Sequence, residues 1–74
     1  MTATIRPYGV LKDYIGGAYE TTIEAGVTVR QAMVNFGMPP EVVALVLVND
    51  EQETKEYVIQ DGDYVKLIAV IGGG

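Results

Sequence analysis

The sequence contains no cysteine and no histidine. Without cysteine the chain cannot form disulfides, thiolate metal sites or iron–sulfur clusters, and without histidine it has no imidazole ligand and no His-based catalytic mechanism. Its 74 residues allow one small domain, which is too little for the scaffold of an ordinary multi-substrate enzyme. Composition therefore excludes most familiar catalytic chemistry, and we expect a module without a metal site.

Basic residues are also scarce, with five Lys and Arg against ten Asp and Glu. The net charge of -5 has the wrong sign for tracking phosphates, so nucleic acid is not an expected partner. The longest apolar runs, at 42–48 and 67–71, are far shorter than the roughly 20 residues that span a bilayer. No charged and apolar leader follows Met1. We therefore expect a soluble, cytoplasmic protein with no membrane partner.

Nearly half of the chain (49%) is hydrophobic and only 20% is charged, so a packed core is expected. Alternating side chains predict a first strand at 2–8, whose pairing weakens at Pro7 because proline has no N–H to donate. A short apolar stretch at 10–15 ends at two glycines, and alternation resumes in a second strand at 18–23. The two strands are predicted to form one hairpin with a long connection.

The clearest local signal is an amphipathic helix at 28–36. Thr28 and Gln31 have the spacing of a capping box, in which each side chain accepts a hydrogen bond from the other residue's backbone N–H. Gly37 stands where a left-handed C-terminal cap is favoured, and the prolines at 39–40 prevent continuation. Apolar residues recur at the helical spacing and are assigned to the core, namely Val29, Ala32, Met33 and Phe36.

The second half of the chain predicts mainly strands. A short helical turn is predicted at 39–43, a buried strand at 44–48, and a short edge strand or loop at 51–58. After a turn at 61–63, both faces of the last strand are largely apolar from Tyr64 onward, which is typical of a central strand. One main helix on one face of a mixed sheet of four or five strands gives an α+β fold.

The sheet face without the helix is a candidate binding surface. Tyr64, Ile68 and Val70 are expected to form an apolar patch there, as partner-binding surfaces do. The alternative is that the segment 9–17 folds over this patch.

The sequence ends in three glycines, Gly72, Gly73 and Gly74. A terminal carboxylate is ionised at neutral pH, so Gly74 presents an anion that can attack the α-phosphorus of ATP and form an acyl adenylate. Glycine lacks a side chain and tolerates unusual dihedral angles, so such a tail can enter a narrow channel. The alternative is a frayed terminus without a function.

Five segments share their order and spacing with one known family. They are Tyr-Gly-Val-Leu-Lys-Asp at 8–13, Thr-Val-Arg-Gln at 28–31, Leu-Val-Asn-Asp at 47–50, Asp-Gly-Asp-Tyr-Val at 61–65, and Val-Ile-Gly-Gly-Gly at 70–74. In these segments the chain resembles the ubiquitin-like β-grasp sulfur carriers of the MoaD/ThiS family. That family includes the small subunit of molybdopterin synthase and the sulfur carrier of thiazole synthesis. The aspartate that ends the third segment departs from the family pattern, in which glycine is usual.

The resemblance implies a β-grasp domain at 1–71 and a flexible glycine tail at 72–74. An E1-like activating enzyme would adenylate Gly74 with ATP, and sulfur would then convert this terminus to a thiocarboxylate. The chain would be a protein sulfur donor, not an enzyme, and would bind no cofactor itself. It would deliver sulfur to the large molybdopterin synthase subunit, the favoured acceptor, or to thiazole synthase.

Two groups of residues are predicted to contact the partner. The tail residues that enter the partner's active site are predicted to be Ile71, Gly72 and Gly73. The partner-binding surface is predicted to comprise Tyr64, Ile68 and Val70. Two other functions stay open on the sequence: a protein modifier joined to lysines through its last glycine, and a non-covalent β-grasp interaction domain.

Overall fold

A computed structural model describes residues 1–69, which form five strands, one α-helix and two short 3₁₀ helices. The predictions for Val70, Ile71 and the glycines at 72–74 lie outside these described residues. The strands are β1 (Thr2–Pro7), β2 (Thr21–Glu24), β3 (Val43–Val48), β4 (Glu51–Glu53) and β5 (Tyr64–Ala69). The α-helix α1 is Val29–Asn35, and the 3₁₀ helices are Gly9–Ile15 and Pro40–Val42.

The strands form one mixed sheet in the order β2-β1-β5-β3-β4. β1 and β5 are parallel, whereas β1 and β2, β3 and β5, and β3 and β4 are antiparallel. The predicted β1–β2 hairpin and the central position of β5 are therefore confirmed. The α+β class is confirmed as well, and none of the helices within residues 1–69 has the length and apolar character needed to cross a bilayer.

Pro7 lies in the last part of β1, which pairs with β5 but no longer with β2. The β1–β2 ladder ends at the pair Ile5 and Thr21, so β2 begins three residues later than predicted. The N–H groups of Thr4 and Tyr8 donate to carbonyls preceding and within β5, so the N–H groups of the intervening odd residues face β2. The missing N–H of Pro7 thus falls beyond the end of β2, which confirms that pairing weakens there.

Helix α1 begins and ends close to the predicted residues. Thr28 Oγ1 accepts the backbone N–H of Gln31 at 3.1 Å, which satisfies one of the otherwise unpaired donors of the first turn. The Gln31 side chain donates instead to Asn35 Oδ1 at 3.0 Å, so only half of the predicted capping box forms. Gly37 adopts a left-handed φ of 76°, as the C-terminal prediction requires.

The core lies between α1 and one face of the sheet. Its residues alternate along the strands, and they include Ile5, Val29, Met33, Val65 and Leu67, all fully buried. Phe36, predicted in the core stripe, caps the helix and is only partly buried against this cluster.

The segment 9–15 forms a 3₁₀ helix that the sequence did not predict. Its buried residue, Leu11, belongs to the core cluster on the side of α1, and Gly16 and Gly17 end it with positive φ angles of 73° and 81°. The alternative that segment 9–17 folds over the predicted patch stays a prediction, since Val70 lies outside the described residues; Gly9 and Lys12 of the segment line a cavity together with Arg6.

Candidate functional site

The sheet face opposite α1 carries the predicted binding residues. Because Val65 and Leu67 point into the core, Tyr64, Lys66 and Ile68 lie on the opposite side of β5. We call this side the open face, and it comprises Thr4, Arg6, Leu45, Leu47, Tyr64, Lys66 and Ile68.

The open face has an apolar part on β3 and β5. Leu45 lies directly opposite Ile68, and Leu47 lies opposite Lys66. All four of these residues are half-buried, and neither leucine belongs to the core cluster. The structure thus brings the predicted residues Tyr64 and Ile68 onto one surface and adds the two leucines. Their role in partner binding stays a prediction.

Two hydrogen bonds fix the polar side chains of the open face. Lys66 Nζ lies 2.7 Å from Asp50 Oδ1, and this hydrogen bond raises the pKa of Lys66 above its ordinary value. The Tyr64 hydroxyl donates to Glu20 Oε1 at 2.6 Å, and this bond raises the pKa of Tyr64. Both side chains therefore keep their protons at neutral pH and are held in one orientation.

Arg6 contacts two aromatic rings next to this polar group. Its guanidinium carbon is 4.4 Å from the centre of the Tyr8 ring and 4.0 Å from that of Tyr19. Both distances are within the range of cation–π attraction, so both rings stabilise the charged guanidinium. Sequence reasoning missed this cluster, because Tyr19 reaches Arg6 only through the course of the connection after the first 3₁₀ helix.

The side chain of Asp63 holds the start of β5 in place through hydrogen bonds. Its side chain, only 7% exposed, accepts hydrogen bonds from Asn49 Nδ2 (2.9 Å), the Tyr57 hydroxyl (2.7 Å) and the Gln60 N–H (2.8 Å). Asn49 Oδ1 in turn accepts the Tyr64 N–H at 3.0 Å. These bonds join the β3–β4 turn to the start of β5 and so position Tyr64 on the open face.

The hydrogen bond between Tyr57 and Asp63 shifts the pKa values of the two side chains in opposite directions. Burial alone raises the pKa of Asp63, but the hydrogen bonds from Gln60, Tyr57 and Asn49 outweigh it and hold the pKa below its usual value. The hydrogen bond to Asp63 is the main cause that raises the pKa of Tyr57 to about 12. The sequence predicted Asp63 only as a turn residue, and the left-handed φ of 83° at the preceding Gly62 confirms this turn. That prediction missed the role of the Asp63 side chain as a hydrogen-bond acceptor.

The predicted reactive end of the chain follows β5 directly. Ala69, the last described residue, pairs with Val43, and the nearby Tyr8 N–H donates to the Leu67 carbonyl at 3.0 Å. Because β5 is parallel to β1, β5 runs toward the end of the sheet that carries Tyr8 and Arg6.

The fold is that of the ubiquitin-like β-grasp proteins. SAMP1 from Haloferax volcanii superimposes with a TM-score of 0.69 at 20% identity, with 100% of both chains covered. A putative molybdopterin converting factor subunit 1 from Pyrococcus furiosus gives a TM-score of 0.72 at 17% identity, covering 96% of this chain and 99% of the other. In a complex of molybdopterin-converting factor subunits 1 and 2 from Helicobacter pylori, the matching chain gives 0.62 at 20% identity, with 100% of both chains covered.

The sequence defines the family within that class. A model of the ThiS family matches residues 6–74, and this chain belongs to the ThiS family. The resemblance predicted from the five sequence segments is thereby confirmed. A search of curated proteins finds no significant match.

Proposed function

We propose that this protein is a sulfur carrier whose C-terminal Gly74 is adenylated and then converted to a thiocarboxylate for cofactor biosynthesis. The observation that carries the proposal is the ThiS family match, which extends through the glycine end of the sequence. A second support is the open face, where Tyr64 and Ile68 lie half-buried on β5, the strand that leads to that end.

The chemistry needs only the terminal carboxylate of this chain. A carboxylate oxygen attacks the α-phosphorus of ATP, pyrophosphate leaves, and the product is an acyl adenylate. A sulfide ion attacks the acyl carbon, AMP leaves, and the terminus becomes a thiocarboxylate. When the donor is a protein persulfide, its attack with loss of AMP gives an acyl disulfide, which a second thiol cleaves to the thiocarboxylate and a disulfide. The thiocarboxylate sulfur then attacks an electrophilic carbon of the acceptor and displaces its leaving group, and water cleaves the acyl–sulfur bond, which leaves the sulfur on the acceptor and restores the carboxylate. In this proposal ATP is bound by an E1-like activating enzyme, and the carrier itself is a substrate and not a catalyst.

Binding of the carrier has to come mainly from its folded surface. Ordering each tail residue costs about 1 to 2 kcal/mol of conformational entropy, and the glycines offer little contact area in return. In the proposal Ile71, Gly72 and Gly73 lie in the partner's channel, while Tyr64, Ile68 and Val70 contact its surface. The half-buried leucines at 45 and 47 extend that contact area.

For the sulfur acceptor we favour the large subunit of a molybdopterin synthase. The support is the likeness to subunit 1 of molybdopterin-converting factors, one of which forms a complex with its subunit 2. Thiazole synthase is the next candidate, because the family match is to ThiS.

Intact-mass measurement tests the proposal. The full chain is incubated with an E1-like enzyme, ATP and a sulfur donor, and we expect a mass gain equal to replacing one oxygen by one sulfur. A variant lacking the last two glycines is the control, and its mass should stay unchanged. An unchanged mass of the full chain with every cognate activating enzyme would contradict the proposal. Ladders of the chain linked to protein lysines would instead favour a protein modifier.

A further inference from the structure

Three of the five basic side chains have no acidic partner among residues 1–69, and two of these, Arg6 and Lys12, lie close together. Arg30 pairs with Glu56 at 2.7 Å, and Lys66 pairs with Asp50 at 2.7 Å. Lys55 donates to the Pro40 carbonyl at 2.7 Å. Arg6 and Lys12 form no ion pair with a carboxylate of the described chain, although acidic residues outnumber basic ones by ten to five.

These two cations line the same small cavity. The cavity has a volume of about 50 Å³ and is lined by Arg6, Pro7, Tyr8, Gly9, Lys12 and Tyr19. Arg6 and Lys12 are both half-buried, so an anion that enters meets two positive charges that are partly shielded from solvent. The Tyr8 and Tyr19 rings both lie within 4.4 Å of the guanidinium carbon, and Arg6 also hydrogen-bonds to the Tyr64 side chain, so the guanidinium has further N–H groups for a ligand in the cavity.

The cavity is continuous with the apolar part of the open face. In the parallel register Arg6 lies beside Lys66 and Pro7 beside Leu67, so Tyr8 comes level with Ile68. Across β5, Leu45 lies opposite Ile68. Tyrosine and arginine side chains are enriched at the energetic centres of protein interfaces, so this combination with apolar neighbours suits a docking surface.

We propose that the cavity formed by Arg6, Tyr8, Lys12 and Tyr19 binds a carboxylate side chain of a partner protein. The volume decides the class of ligand, because about 50 Å³ accommodates a carboxylate group but not a nucleotide, whose pockets measure roughly 300 Å³ or more. The carboxylate accepts hydrogen bonds from the guanidinium edge of Arg6 and from Lys12 Nζ, while apolar neighbours of the acidic residue lie on Leu45 and Ile68. Where the partner is the activating enzyme, this assignment rests on the proposed function.

Charge-removing variants test the cavity in the complex. Arg6→Gln and Lys12→Gln are compared with Arg30→Gln, which removes the same charge from the helix side, where Arg30 is exposed. Titration calorimetry with the E1-like enzyme should show about tenfold or greater weakening for each cavity variant, and a change within about twofold for the control. Lys12→Gln serves as the second variant if thermal melting shows that Arg6→Gln has lost its fold. Equal affinities of all three variants would overturn the proposal.

A titration without the enzyme separates this proposal from the proposed function. Amide NMR spectra of the full chain are recorded with a blocked Leu-Asp-Leu peptide, with its Leu-Asn-Leu counterpart and with AMP. We expect saturable shifts at Arg6, Tyr8 and Lys12 with the aspartate peptide only. Absent shifts, or tighter binding of AMP, would overturn the carboxylate assignment. Failure of the proposed function shows separately, as an unchanged mass of the wild-type chain after incubation with the activating enzyme.

Discussion

Asp63 is a buried carboxylate whose oxygens accept one backbone and two side-chain hydrogen bonds. Replacing it by Asn removes the charge and places an amide donor either against the Asn49 donor or against the Tyr57 and Gln60 donors. We expect Asp63→Asn to lower the free energy of unfolding by about 2 kcal/mol at neutral pH, measured by urea denaturation. Asp61→Asn is the matched control, because Asp61 accepts only the exposed Thr2 N–H in the turn and should change stability little.

The same variant has a predicted effect on acid stability. The pKa of Asp63 is lower in the folded protein than its ordinary value of 3.8, so the carboxylate stabilises the fold above about pH 4. This contribution is lost as the pH falls through the folded pKa. Stability of the wild type should therefore decline more steeply below about pH 4 than that of Asp63→Asn. Parallel curves for the two proteins would show that Asp63 has no perturbed titration.

For single residues, the sequence predicts which side of a regular strand a side chain lies on, but not which residues of other segments it contacts. Alternation along β5 placed Tyr64 and Ile68 on the open face correctly. The acceptor role of Asp63 was missed, because its partners Asn49 and Tyr57 lie 14 and 6 positions away and meet it only after the sheet forms. Arg6 was missed for the same reason.

Helix α1 has only seven residues, so its N-terminal cap is a large part of its local stability. Thr28→Ala removes the acceptor of the Gln31 N–H and should lower the free energy of unfolding by about 1 kcal/mol. Thr28→Ser keeps an oxygen in the same place and should stay close to the wild type. Thermal melts of the three proteins check this, and equal melting temperatures for Thr28→Ala and wild type would contradict it.

Elements with strong local signals were predictable, and elements set by packing were not. The helix, the turn at 49–50 and the central strand follow from capping, turn chemistry and alternation. Asp50 adopts a φ of 70°, which explains why glycine suits that position and why aspartate is still tolerated there. The 3₁₀ helix Gly9–Ile15 has no periodic pattern of buried apolar residues, since Leu11 alone is buried. Its conformation therefore follows from packing against the core and not from a local sequence signal.

On the scale of the whole molecule, the two sheet faces differ in what covers them. One face builds the core with α1, while Ile68 on the other face is half-buried and outside the core cluster. Ile68→Glu should therefore leave the fold intact but weaken binding to the activating enzyme by about tenfold or more. Val34→Glu, at a 52% exposed position on α1, is the control and should bind like the wild type. Calorimetry measures the affinity for the activating enzyme, and thermal melting shows whether each variant is folded. Unchanged affinity for Ile68→Glu would exclude this face as the docking surface.

The parallel pairing of β1 with β5 also constrains when the protein can acquire its shape during synthesis. Thr4 is level with Tyr64, so the middle of the sheet joins stretches made sixty residues apart. A nascent chain lacking β5 holds only two separate hairpins, each too small to persist in water. The ribosome therefore has to deliver nearly the whole described polypeptide before the sheet can close, and shortened translation products should be rapid targets for proteolysis.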